Sequence, residues 1–349
     1  MQIVSVFTPP LRLGVNLFFS LLLFVVFLQP ELIKKLIKKT MNHFHKNVKL
    51  LFFIATVSLM VSACGEKENE PQTTPTPAAE SAFDSNGATK SVFSISDTKS
   101  VHFSKGNLQY NAASSKWRFA ENQYDYVGDG NVNASSSYDG WVDLFLWGTS
   151  GWNNNQPWNT DLTSYQVGGS ASNDLTGEYA NADWGVFNAI SNGGNTAGKW
   201  RTLTAEEWAY LLGNNAKRNG KWATAVVNDH FGLIVLPDSF TMPDSITLTA
   251  GAARNTYTGE PSNRYSLAQW KKLELAGAVF MPAAGRRVVD FSELTVDFAG
   301  TMGVYWSTTH APNDYYGNSA CSVEFEKSYL NVEGTAYRYH GVSVRLVKD

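Results

Sequence analysis

The sequence predicts an α+β protein, and three observations carry that prediction. Short runs that alternate apolar and polar residues with period two, the mark of half-buried strands, recur through residues 91–347. Two well-signed helix starts interrupt them, without the regular strand–helix rhythm of a parallel sheet. All 11 Trp lie between Trp117 and Trp306, in a stretch with no Pro/Ser-rich break, so a single aromatic-rich domain is expected over 91–349.

The strand candidates come first. Ser91–Ile95, Val101–Phe103, Leu108–Tyr110 and Trp117–Phe119 open the domain. Residues 121–182, rich in Gly, Asn, Asp and Trp, read as long irregular loops. A short helix is expected around Asp183–Ile190. Thr204-Ala-Glu-Glu207 is a capping box, with Leu203 and Trp208 placed as a hydrophobic staple and Gly213 as the stop. Ser266-Leu-Ala-Gln269 repeats that grammar, with Tyr265 and Trp270 as the staple and Gly277 as the stop. Further strands are expected at Phe231–Leu236, Ala278–Pro282, Val304–Ser307, Ala320–Glu326 and Gly341–Val347. In Ala320–Glu326, the residues Cys321, Val323 and Phe325 share the apolar phase. In the last strand, alternation with Val344 and Leu346 puts Arg345 on the face away from the core.

The N-terminal region reads as an address. Lys46 and Lys49 follow Met41, an apolar run covers Leu50 to Val61, and Val61-Ser62-Ala63-Cys64 closes it. A basic start, a short apolar core and small residues make a secretory signal peptide over 41–63, and the run is too short to span a bilayer comfortably. Small residues directly before Cys64 resemble a bacterial lipobox, which implies cleavage there and lipidation of Cys64; the alternative is a leader with a chance Cys. Residues 1–40 hold another apolar segment, Leu13–Leu28, followed by Lys34, Lys35, Lys38 and Lys39. Because a complete leader begins afresh at Met41, the simpler reading makes 1–40 a gene-start artefact; the other makes it an extra membrane segment. Residues 64–90 read as a flexible, hydrophilic tether. The acidic stretch after Cys64 resembles the surface-export signal of Bacteroidetes lipoproteins, which implies an outer-membrane, cell-surface location.

Beyond residue 63 the chain carries 21 Lys and Arg against 30 Asp and Glu, a net charge of −9. An acidic surface without a basic stripe excludes a nucleic-acid partner from the expectations. Nucleophile-elbow and phosphate-loop motifs do not occur. The domain holds one cysteine, Cys321, read as a buried free thiol, and its histidines are scattered singly. Asp125, Asp129, Asn131 and Asn133 place oxygen ligands at near-alternate positions in a Gly-containing loop, which suits a structural calcium; the alternative is an Asx-rich turn. Residues 310–339 are the best binding candidate. His310, Asn313, Asp314, Tyr315, Tyr316, Asn318, Tyr329, Asn331, Tyr337 and Tyr339 give the Tyr/Asn chemistry of adaptable binding surfaces. The competing reading is a solvated loop with one or two core tyrosines.

Trp200-Arg-Thr-Leu-Thr-Ala-Glu-Glu-Trp208, Ala278-Val-Phe-Met-Pro-Ala-Ala-Gly285, Tyr305-Trp-Ser-Thr-Thr309 and Gly341-Val-Ser-Val-Arg-Leu-Val347 occur in that order, after Phe103–Tyr110 and Trp117–Tyr126. Together they resemble the C-type-lectin-like fold of the formylglycine-generating-enzyme (sulfatase-modifying factor) superfamily. More narrowly, they resemble Bacteroidetes and Fibrobacter surface lipoproteins with a major paralogous domain of that type. The superfamily's oxidases hold copper on a cysteine pair, and this domain lacks the second thiol. Retroelement-diversified proteins of the fold place their variable contact residues where 310–339 lies. The expectation is therefore a surface-tethered, non-catalytic ligand-binding or adhesion module without a cofactor, for a glycan or protein. The alternative is a divergent enzyme of the superfamily.

Overall fold

The computed structural model describes residues 80–160, 166–213, 215–251, 262–290, 293–327 and 329–349. The chain divides at Pro77 and Ala78 into two units, and the second holds every described residue. The signal peptide, Cys64 and most of the tether lie outside the described residues. Among the described residues no helix is long and apolar enough to cross a membrane.

The second unit is α+β, with many short strands and few helices. Its first strands are β1 (Phe93–Ser94), β2 (Ser100–Phe103), β3 (Leu108–Asn111), β4 (Lys116–Phe119) and β5 (Leu144–Phe145). The middle of the chain forms α1 (Trp184–Phe187), α2 (Ala205–Leu211), β6 (Trp222–Val227), β7 (His230–Val235), β8 (Arg264–Tyr265), α3 (Leu267–Leu275) and β9 (Val279–Pro282). The last part forms β10 (Arg286–Asp290), β11 (Glu293–Asp297), β12 (Met302–His310), β13 (Ser319–Glu326), β14 (Tyr329–Tyr337), β15 (Val342–Ser343) and β16 (Val347–Lys348). The largest sheet runs β14-β13-β12-β15-β5; a four-stranded sheet runs β8-β6-β7-β9.

Both capping boxes form. Thr204 Oγ1 accepts from the Glu207 amide, and the Glu207 carboxylate accepts from the Thr204 amide. Ser266 and Gln269 make the same reciprocal pair at α3. Leu203 and Trp208 lie in one core cluster and Tyr265 and Trp270 in another, as staples should. Gly277 ends α3 at φ 96°, its amide bonded to Glu274 O while the Ala278 amide reaches Leu273 O, a Schellman motif. Asp183 caps α1 by accepting from the Gly185 amide.

The aromatic core is real and is divided. Trp117, Trp147, Trp184, Trp200 and Trp306 share one cluster; Phe103, Trp208, Tyr305 and Phe325 share the next; Trp270 and Phe280 anchor the third. Adjacent residues of β12 face different clusters, since Trp306 belongs to the first and Tyr305 to the second. Gly303 lets β12 pass the Phe325 ring, against which any Cβ would collide. Segments far apart in sequence meet here. Arg201 and Val347 exchange backbone bonds, Trp208 Nε1 donates to Trp306 O, and Tyr305 OH donates to Pro282 O.

Four sequence expectations are corrected. The folded unit begins before Ser91: Phe83 pairs with Thr89, Ala88 with Ser104, and Gly87 to Thr89 are buried. The end of the expected tether is therefore part of the domain. Gly341–Val347 is two short strands in different sheets, because β15 joins β12 while β16 joins β2. Arg345 is buried, not outward; its guanidinium donates to Asn107 Oδ1 and Gln123 Oε1. No strand is expected from the sequence over 329–337, yet these residues form the edge strand β14.

Candidate functional site

The β12–β13 loop is built by its own polar groups. Asp314 accepts from the Tyr316 amide at 3.0 Å and from the Asn318 amide at 2.8 Å. Desolvation pushes the Asp314 carboxyl up, but bonds from Ser319 and these amides together outweigh it and hold the carboxyl below its ordinary value. Gly317 turns the chain at φ 64°, pressed against Ala171. The turn leaves Tyr315 93% and Tyr316 77% exposed, with ring centroids 5.2 Å apart, edge to face. Beneath it Arg338 is fully buried over the Trp147 ring at 4.5 Å, donating to Ser319 O and Ala171 O.

A second aromatic group stands at the end of β14. Tyr337 and Tyr339 stack at 5.0 Å, and His340 meets both edge-on. Burial, with help from Arg286, lowers His340 to about 4, so its ring is neutral at physiological pH. His310 is fixed by Asp174, which accepts from its amide and contacts Nδ1 at 2.7 Å.

Asp314, Tyr337 and His340 line a cavity of about 880 Å³. Ala205, Glu206 and Ala209 of α2 form one wall. The loop from Ala311 to Asp314, with Arg286 and His340, lines the cavity further. Its floor includes Ser319 and Cys321 of β13 and runs along β14 from Val332 to Tyr337. The volume and mixed lining suit a bound ligand. Cys321 is half-buried at this floor, not sealed in the core, because its neighbour across the strand pair is the exposed Thr335. Its thiol donates to His310 O, and burial followed by the Asp174 charge pushes its pKa up, so it stays protonated.

Of the ten candidate binding residues, Asn313, Asp314 and Tyr337 line the cavity directly. His310, Tyr315, Tyr316, Asn318 and Tyr339 flank them in the chain at the same end of the sheet. Tyr329 and Asn331 are not brought there. Tyr329 pairs with Glu326 and Tyr337 with Ser319, so they stand at opposite ends of β14, roughly 25 Å apart. Sequence reasoning missed Glu206, Arg286, Thr335 and His340. For Thr335 a signal was present: Leu330, Val332 and Ala336 alternate with exposed or half-exposed residues through 329–337.

The Asx-rich segment closes on the protein itself. Asn131 is fully buried; its Oδ1 accepts from the Asp143 and Leu144 amides, and its Nδ2 donates to Asp143 Oδ1 and Gly128 O. Both lone pairs of its oxygen are therefore taken. Asp125 accepts from Asn122, Asn133 donates to Gly130 O, and Asp129 is exposed. Of the four expected oxygen ligands, Asn131 is thus spent inside the protein, and Gly128–Asn133 forms a 3-10 helical turn. Among the described residues no group of three or more His, Cys, Asp or Glu is placed to hold a metal ion. Compared with protein-family models, curated proteins and solved structures, the chain matches none.

Proposed function

We propose that this protein is a surface-tethered lipoprotein whose folded unit binds a glycan or protein ligand without catalysis. One observation carries the reading: Tyr337, stacked on the half-buried Tyr339, lines the cavity of about 880 Å³, and the exposed pair Tyr315 and Tyr316 follows directly on Asn313 and Asp314 of its lining. Exposed aromatic side chains lose little entropy on binding and give large contact area. The protonated Cys321 thiol at the floor speaks against a thiolate nucleophile. The tether and its location rest on Val61-Ser62-Ala63-Cys64.

The likeness to the formylglycine-generating-enzyme superfamily is part of the same proposal. Its support is that the segments 200–208, 278–285, 305–309 and 341–347 pack on one another through Trp208, Tyr305, Trp306 and Val347. Those residues build the scaffold, and the ligand chemistry stands on the loops beside them. The test is a glycan and extracellular-protein array probed with the protein, with and without calcium. Calcium-indifferent capture of a defined ligand, lost when Tyr315 and Tyr316 are truncated to Ala, supports the reading. Turnover of a captured molecule, or capture that survives truncation, contradicts it.

A further inference from the structure

We infer that the outer edge of β14 is a docking rail for an extended peptide, which adds to the five-stranded sheet with cationic side chains toward α2 and acidic ones toward Arg286. This rests on the reading of the cavity as a binding site and names its ligand class. Among the described residues no strand pairs outside β14. The register shows which backbone groups are open. The Arg338 amide donates to Asn318 O, so that pair is hydrogen-bonded, and the ladder then alternates through Ser319↔Tyr337, Ala320↔Ala336 and Cys321↔Thr335. Ala336 therefore spends its backbone groups on β13, while Thr335 and Tyr337 direct theirs outward. Tyr337 O accepts from the His340 amide, which leaves the Thr335 N–H and C=O and the Tyr337 N–H open.

The cavity lies where an added strand would lie. Successive side chains of a strand point to opposite faces of the sheet, yet Thr335, Ala336 and Tyr337 all line this one cavity. A space touched from both faces sits beside the edge, in the plane of the sheet. Edges in stable proteins are usually blunted by bulges, Pro or Lys. Here the register irregularity falls at Val332 and Glu333, opposite Val323, and leaves the pairing from Gly334 to Tyr337 regular, while 329–337 contains neither Pro nor Lys. The two flanks differ in charge. Glu206 on α2 and Glu333 on the strand are exposed and have no ion-pair partner among the described residues, whereas the Arg286 charge acts on Glu324, which alternates with Val323 and Phe325 and so faces away from α2, as Ala336 does. Because a strand alternates its side chains, one peptide with alternating charge satisfies both flanks.

The probe is an acetylated, amidated octapeptide of alternating Lys and Glu, titrated against the full chain. Its controls are a peptide of the same composition in Lys-Lys-Glu-Glu order and the fully N-methylated alternating peptide. Binding of the alternating peptide, weakened roughly tenfold or more in both controls, is expected. On the protein side, Thr335→Pro removes an outward N–H that an edge strand can lose, and Thr335→Val keeps it. Proline should abolish peptide binding and valine should preserve it. Equal binding of the alternating and block peptides, or of the N-methylated form, overturns the inference whatever the variants do. If no peptide binds while a glycan or folded protein is captured through Tyr315 and Tyr316, the inference falls and the binding function stands. If nothing binds, both fall.

Discussion

Asn131 shows how much a single buried side chain carries. It satisfies the Asp143 and Leu144 amides and donates to the Asp143 carboxylate, itself fully buried. Asn131→Ala strands all three, and buried unsatisfied groups cost about 1–3 kcal/mol each. A loss of roughly 3 kcal/mol or more in urea unfolding is expected, and a loss below about 1 kcal/mol would show that the pocket rehydrates. Asp183 gives a pH signature. Burial raises its carboxyl to about 6 against bonds from Thr202 and Gly185. A carboxyl raised above its unfolded value contributes stability that is full below pH 4 and is lost as pH rises through 6. The rise from 3.8 to about 6 corresponds to roughly 3 kcal/mol. Wild type should therefore gain on Asp183→Asn as pH falls from 7 to 4; a constant gap between their unfolding curves would contradict this. His340 titrates with the opposite sign, because its value is lowered to about 4, and the pairwise comparison cancels it. Neither Asp183 nor Arg345 was legible as buried. The acceptors of Arg345 come from 238 and 222 residues away, and no local pattern announces them.

At the scale of elements, the local signals were the readable ones. A capping box needs four consecutive residues, and both formed at Thr204 and Ser266 with their staples, the second closed by its Gly277 stop. Thr204→Ala and Ser266→Ala should each cost about 1 kcal/mol in urea unfolding. The larger loss is expected at Thr204, which is half-buried while Ser266 is exposed. No loss at either would mean that these helices draw their order from packing alone. The strand β14 was missed because Tyr, Asn, Glu and Thr occupy its exposed and half-exposed positions and Gly334 interrupts its inner face. Its pairing with β13 fixes it as strand, and pairing is a long-range property. The residues lining the cavity were only partly legible for the same reason. Composition pointed to 310–339, but only the fold separates Tyr337 at the cavity from Tyr329 at the far end.

For the whole molecule, the boundary of the folded unit lies near residue 80. Thr89 bonds Phe103 in both directions, the Lys105 amide reaches Gly87 O, and His102 Nδ1 lies 2.7 Å from Thr89 O. A fragment of residues 91–349 should thus be less stable than 80–349 by roughly 4 kcal/mol, about 1 per bond lost; equal melting temperatures would show that 80–90 adds nothing to the folded unit. The central claim is that the tyrosine-rimmed end of the sheet is a recognition surface carried on a scaffold that does not need it. Exposed truncations usually move stability by less than about 0.5 kcal/mol, while aromatic anchors in an interface cost about 2 kcal/mol or more of binding. The most direct measurement takes ligand affinity and melting temperature together on Tyr315→Ala, Tyr316→Ala and Tyr337→Ala, with Tyr329→Ala as the control at the other end of β14. The account predicts unchanged melting and at least tenfold weaker binding for the first three, and unchanged binding for Tyr329→Ala. Unchanged affinity with a large loss of stability in the first three, or an affinity loss at Tyr329 equal to theirs, would contradict it.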